Sequence, residues 1–317
     1  MNFLLPQGIG DSVWALHKLR SAAKLLDADS VAVHLNFCPP LNSVQSRALD
    51  FVKRFPFVDS ASMLPILIHG DKSIDDDGHY IYIPDGWTHY CGLEYYAMMP
   101  NGPLERGTRL EDWLPQFDID WTTAQQFRFE QDELDYAANF KRTVGEYCIF
   151  YLGPFRGNMF EGHNRGSLWG HDDWAGLGRL IQENLNLKIV VVGADYDIEY
   201  WNYMMAPTLA KSKQRPWMNL IGELPIANTF AICKGSRFVI SYQSGIGIFS
   251  SYLQVPTGIF WRPKGNSISP DVYLSFEESM ASAWTRPDML TEGKHLPLIY
   301  GRHDPEYIMN EILTRGW

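Results

Sequence analysis

Apolar residues recur along this chain at two spacings, and the alternation between them sets the order of its elements. Met1–Leu5 is a short apolar run of strand length. Val13, Leu16, Leu19, Ala23 and Leu26 then fall three or four apart, with Lys18, Arg20 and Lys24 off that stripe, which predicts an amphipathic helix. Between the two lies Pro6-Gln7-Gly8-Ile9-Gly10-Asp11-Ser12, a glycine turn that feeds the helix. Ser30–Phe37 reads as a second strand and Val44–Arg54 as a helix. Met63–His69 and Tyr80–Ile83 read as further strands. Trp87–Trp121 is rich in aromatics, Gly and Pro and shows neither period. It lines an acceptor pocket, since aromatic faces stack on sugars, or it is an irregular cover over the core.

The second half alternates more plainly. Glu130–Arg142 reads as a charged helix that ends a first domain. A strand over Tyr147–Leu152 follows, then a long loop, Gly153–Trp169, then a helix capped by Asp172-Asp173 and running to about Asn184. Lys188–Val192 is a buried-type strand, followed by Gly193-Ala194-Asp195-Tyr196-Asp197 and another helix. Asn219–Gly222 is short, and Ala227–Lys234 is helical. Phe238–Ser241 is a strand, Tyr242–Gly247 a glycine turn, Ile248–Leu253 a helix and Pro256–Trp261 a strand. The strand, glycine turn and helix of the N-terminus thus recur here. Pro305–Thr314 reads as a closing helix. The alternation predicts an α/β protein.

The length of 317 residues fits two domains at ~150 residues each. No apolar run approaches the ~18 residues of a membrane span, and the N-terminus lacks the basic and apolar regions of a signal peptide. Cys38, Cys91, Cys148 and Cys233 form no CxxC pair. That pattern points to free thiols in a reducing cytosol and to neither a zinc site nor a disulfide framework. The net charge is −10. Residues 1–140 carry 10 Lys and Arg against 20 Asp and Glu, and the remainder is balanced at 17 and 17. Such an acidic first half repels polyanions and argues against a nucleic-acid partner there.

Candidate chemistry sits at the two glycine turns. Asp11 is either a carboxylate placed for catalysis at a strand's carboxyl end or a plain N-cap, because Asp and Ser are favoured caps. A dinucleotide fingerprint is not complete: the third glycine position is Val13, and the second strand ends in Asn36-Phe37 without an acid. Asp75 and Asp77 resemble the acidic metal-binding pair of one glycosyltransferase class, and they equally suit a solvated loop that ends at Gly78. Arg156, His163, Asn164 and Arg165 lie in the long loop, where cations meet a phosphate or simply face water. The amides at Ser244-Gly245-Ile246-Gly247 suit a phosphate at a helix start, or the glycines permit close packing of helix on strand.

Taken in order, these pieces resemble the heptosyltransferase family of bacterial glycosyltransferases (family 9). The resemblance covers residues 1–25 and most of the second half. Gly8-Ile9-Gly10-Asp11 resembles the family's Gly-x-Gly-Asp start, whose Asp is the proposed general base. Trp169-Gly170-His171-Asp172-Asp173-Trp174 resembles its tryptophan-bearing helix start. Val192–Asp197 resembles the strand end whose acid holds the donor ribose. Asn219–Gly222 matches in spacing, and Tyr242–Ile248 follows the family's Asp-Thr-Gly-x-x-His loop without a gap.

The resemblance implies the GT-B architecture, two Rossmann-like doubly wound domains facing across a cleft. Residues 1–143 would form the acceptor side and 144–300 the donor side, with 301–317 a closing helix. It implies an inverting, metal-independent transfer from a nucleoside-diphosphate sugar, with no other cofactor, in the cytoplasm. Asp11 is then the catalytic base. Gly8, Gly10, Arg165, Ser167, Gly193, Asp195, Asp197, Gln243, Ser244, Gly245, Ile246 and Gly247 fall at donor-binding positions. Three positions depart from the family: Gln243 stands for its Asp, Ile248 for its His, and Ser167 for its pyrophosphate lysine, which Arg165 could replace. These changes leave the donor sugar open, and the acidic first half argues against an anionic acceptor. Two rivals share the architecture: a sugar-nucleotide 2-epimerase and a non-catalytic nucleotide-sugar-binding protein.

Overall fold

The structure is a computed structural model. It describes residues 2–5, 8–25, 27–37, 43–65, 80–82, 98–99, 102–103, 119–153, 169–212, 214–261, 279, 281–299 and 303–317. Asp75, Asp77, Arg156, His163, Asn164, Arg165, Ser167 and most of Trp87–Trp121 lie outside the described residues. The chain divides into two compact units, residues 1–129 and 130–317.

The first unit is a four-stranded sheet of β1 (Asn2–Leu5), β2 (Val31–Phe37), β3 (Val58–Pro65) and β4 (Tyr80–Tyr82). Its order is β3-β2-β1-β4, with every pair parallel. Phe3, Leu5, Val31, Val33 and Leu35 alternate along β1 and β2 and are buried, as one pleated face against helices requires. Helix α1 (Ile9–Leu25) buries Val13, Leu16, Leu19 and Ala23, the stripe expected from the sequence. Phe51 of α2 (Ser43–Val52) meets Phe55 at 5.4 Å and Phe127 at 5.5 Å, so the end of the unit folds back under α2. Strand β3 starts at Val58, earlier than the expected Met63, because Phe55-Pro56-Phe57 turns the chain at once. β5 (Met98–Met99) and β6 (Gly102–Pro103) form a small antiparallel pair.

The second unit begins with α3 (Gln131–Val144), then β7 (Tyr147–Tyr151), α4 (His171–Leu185) and β8 (Lys188–Val192). Helix α5 follows in three consecutive pieces, Ile198–Tyr200, a π turn Trp201–Met205, and Ala206–Lys211. Then come β9 (Met218–Asn219), α6 (Ile226–Gly235), β10 (Val239–Tyr242), α7 (Gly245–Tyr252) and β11 (Thr257–Trp261). The unit closes with α8 (Ala281–Trp284), α9 (Pro287–Thr291), β12 (His295–Ile299) and α10 (Pro305–Arg315). Its six strands run β12-β11-β10-β7-β8-β9, all parallel. Counted from the unit's own first strand this is 3-2-1-4-5-6, the Rossmann order, and the first unit carries its 3-2-1-4 portion.

β7 is buried on both faces. Cys148 and Phe150 point into one core layer, and Tyr147 and Ile149 into the other, where Cys233 of α6 also lies. Burial raises both thiol pKa values, that of Cys233 to about 12.

Two expectations change. The boundary falls before α3, not at residue 143. Tyr136, Ala137 and Phe140 of that helix pack on the Tyr147–Ile149 layer of the second unit. The acidic residues of its first turn move with it, so the units hold 16 acidic against 10 basic residues and 21 against 17. The excess negative charge is shared between the units and not confined to one. Strand β12 is an addition the sequence reading lacked. Pro297 sits in it, and the missing N–H is harmless because β12 is an edge strand. No helix among the described residues is long and apolar enough to cross a membrane.

Candidate functional site

Open parallel sheets bind ligands outside the carboxyl ends of their strands, where the winding reverses. In the second unit the chain leaves β7 toward β8 and β9, then returns to β10 on the other side. The reversal therefore lies between β7 and β10. Two helix N-termini follow strands there, those of α4 and α7.

They differ in charge. In α4 the N-cap is Gly170, and Asp173 reaches back to accept its N–H at 2.7 Å. Asp172 stands exposed beside it. The expected Asp172-Asp173 cap is thus the helix's first turn, and its two carboxylates oppose an anion. In α7 the first turn has no acid. Ser244 is the N-cap, its Oγ accepting from the Gly247 N–H at 3.2 Å and its carbonyl from the Ile248 N–H at 2.9 Å. Ser241 Oγ, 2.9 Å from Ser244 Oγ and bonded to the Tyr242 carbonyl, fixes the cap. The partly exposed Gly245 and Ile246 head the helix, where its dipole favours negative charge. Gly247 has a packing reason: a Cβ there would lie 2.7 Å from Ser241 Oγ. Gln243 is partly exposed, its N–H held by the Phe260 carbonyl at 3.0 Å. Tyr242 donates to the Trp169 carbonyl at 2.7 Å, so the end of β10 is tied to the residue that precedes α4.

One strand further on, the turn after β8 separates two acids that the sequence could not rank. Asp195 is exposed, with one oxygen accepting the Tyr196 N–H at 3.1 Å. Asp197 is only 2% exposed, and its Oδ2 accepts the Ala194 N–H at 2.8 Å. A Cβ on Gly153 would run into Asp197 Oδ1, and one on Gly193 would lie 2.8 Å from Oδ2. The Asp197 carboxylate therefore fills the space between the ends of β7 and β8. Gly222, after β9, has φ of +75° and donates to the Gly193 carbonyl at 3.0 Å. Gly153 and Gly222 were not expected among functional positions. A glycine within three residues of the end of each strand was the available signal.

In the first unit the reversal lies between β1 and β4, and the turn after β1 enters α1. The helix starts at Ile9, with the Ser12 N–H bonded to the Gly8 carbonyl at 2.7 Å. Gly8 is thus the N-cap position, Gly10 is buried in the first turn, and Asp11 is the third helical residue. The N-cap position that the sequence had allowed for Asp11 is held by Gly8.

No family model and no curated protein matches this sequence. Solved structures do. The ADP-heptose LPS heptosyltransferase II of E. coli superposes with a TM-score of 0.60 at 15% identity, covering 99% of this chain and 97% of that one. A glycosyl transferase family 9 protein of Veillonella parvula gives 0.60 at 11% identity, over 99% and 96%. E. coli heptosyltransferase WaaC with ADP gives 0.58 at 13%, over 99% and 100%. The chain has their fold. It is GT-B, and the Rossmann order of the second unit agrees with it.

Proposed function

We propose that this chain is a glycosyltransferase that moves a sugar from a nucleoside-diphosphate sugar to an acceptor hydroxyl, with inversion and without a metal ion. The observation that carries the reading is the acid-free N-terminus of α7 at the winding reversal of the second unit, in a chain with the GT-B fold. Solved neighbours of that fold were captured with ADP and with ADP-2-deoxy-2-fluoro heptose.

In this reading the Gly245 and Ile246 amides receive the diphosphate, with Ser244 and Gly247 shaping the turn. Asp195 accepts hydrogen bonds from the ribose hydroxyls. Arg165 adds positive charge, Ser167 a hydroxyl, and Gln243 a neutral hydrogen-bonding side chain toward the sugar. Asp11 accepts the acceptor's hydroxyl proton as its oxygen bonds to the anomeric carbon. The bond from that carbon to the diphosphate oxygen breaks, and its electron pair leaves with the diphosphate. The helix dipole and a cationic side chain stabilise the charge that gathers there. In this reading the enzyme works in the cytoplasm, as expected from the sequence.

The test is a thermal-shift screen with ADP, UDP, GDP and their sugars, followed by transfer assays in EDTA. A ligand at ~100 times its Kd adds ~2.7 kcal/mol, which raises the melting temperature by roughly 5–10 °C for a unit of this size. A screen in which nothing binds overturns the reading. Turnover of the sugar nucleotide without acceptor turns it toward the epimerase. Activity lost in EDTA and restored by manganese removes the metal-independent part.

A further inference from the structure

The turn after β8 is held more firmly than a surface loop requires, and everything that holds it leaves one side chain outside. Ala194 and Asp197 bond reciprocally. The Ala194 N–H donates to Asp197 Oδ2 at 2.8 Å, and the Asp197 N–H donates to the Ala194 carbonyl at 2.9 Å. This closes a single turn over Asp195–Asp197. Neighbouring strands grip the same turn. The end of β7 presses on it where Gly153 faces the Asp197 carboxylate. The turn after β9 presses from the other side: a Cβ on Gly222 would lie 3.1 Å from Asp195 Cα and 3.4 Å from Asp195 N. Gly222 is already in the left-handed region, which only glycine enters without strain. Asp195 is the exposed residue at the head of this clamp.

We propose that Asp197 is a positioning residue, and that Asp197, Gly153 and Gly222 together set the Asp195 carboxylate in one place for a ligand. The geometry divides two acids that look alike in the sequence: one is a buried brace and the other is the contact. Asp197 does not touch the ligand. The identity of that ligand as a nucleotide rests on the reading above, and the clamp does not. A carboxylate held in a fixed place loses little freedom when vicinal hydroxyls bind it, which is how such a brace raises affinity.

The experiment uses the full chain, with ADP, UDP and GDP as probes in titration calorimetry and amide hydrogen exchange on the unliganded protein. Asp197→Asn keeps an oxygen for the Ala194 N–H, so binding stays within about three-fold of wild type. Asp195→Asn loses ten-fold or more. Gly222→Ala, with both acids intact, also loses about ten-fold, because its Cβ pushes Asp195. Asp197→Ala speeds exchange over residues 193–197, and Asp195→Ala leaves the Ala194 amide protected. If Asp197→Asn binds as weakly as Asp195→Asn, Asp197 is a ligand contact and the proposal fails. If exchange is unchanged in Asp197→Ala, the clamp does not exist and the proposal fails. If no probe binds wild type, the nucleotide reading falls, and the exchange comparison alone decides the clamp.

Discussion

Two strand–turn–helix units invite comparison, β1 with α1 and β10 with α7. Both follow a strand beside a winding reversal, and both open on glycines. They differ in what stands in the first turn. In α1 it is a carboxylate, Asp11, behind a glycine N-cap. In α7 it is Gly245-Ile246-Gly247, behind a serine cap and with no acid in that turn. One helix start carries a group that can take a proton, and the other keeps its dipole open to an anion. In α1 the chain's own carboxylate occupies the positive helix start, and in α7 that place is left for a bound anion.

The sharpest way to break the comparison is Asp11→Asn. If Asp11 is the base, turnover falls by ~10²–10⁴, while donor affinity holds and stability drops only by the ~0.3–1 kcal/mol of a charge at a helix start. Turnover within a few-fold of wild type in a steady-state assay would leave Asp11 a dipole partner alone. Next is Gly247→Ala. Its Cβ would press on Ser241 of β10, so α7 must move away from the strand. The expected cost is ~1–3 kcal/mol in urea denaturation, with weaker nucleotide binding. The same substitution without loss would mean that α7 adjusts freely. Ser244→Ala removes the cap bond to the Gly247 N–H and the contact with Ser241 Oγ. It should cost ~1 kcal/mol by the same denaturation and leave the helix in place.

The smallest effect concerns pH and the far end of α1. Asp120 is partly buried, which would raise its pKa. Hydrogen bonds from Lys24 of α1, at 2.7 Å, and from Thr122 outweigh this and hold it at about 2. A depressed carboxylate adds stability that is present above its unfolded pKa, near 4, and is lost as pH falls toward 2. Acid titration of stability should therefore show a loss between about pH 4 and 2 that Asp120→Asn lacks. Lys24 is half exposed, so the loss is modest and fades with salt.

How legible was all this in the sequence? Lys188–Val192 was read to the residue, because a strand buried on both faces is a continuous apolar run. The starts of α1 and α7 were not. Glycine has poor intrinsic helix propensity, so the pattern placed the helices at Val13 and Ile248, and the structure starts them at Ile9 and Gly245. Packing against the neighbouring strand, as at Gly247, overrides propensity there. β12 was hidden by Pro297, whose tolerance depends on an edge position that only the sheet order reveals. For α3 the helix was readable, but not which sheet it would cover. The site followed the same rule. The strand-end turn over residues 193–197 was visible, whereas the burial of Asp197 and exposure of Asp195 depend on glycines from β7 and β9, distant in the chain.

The two cysteines of the second unit give it a built-in clock. Cys148 and Cys233 are wholly buried, in opposite layers of one sheet, with thiols that resist ionising. An alkylating reagent can reach either only when its own layer opens. Labelling both at one rate would show the sheet parting from its two helical coats together, and two rates would show which coat lifts first.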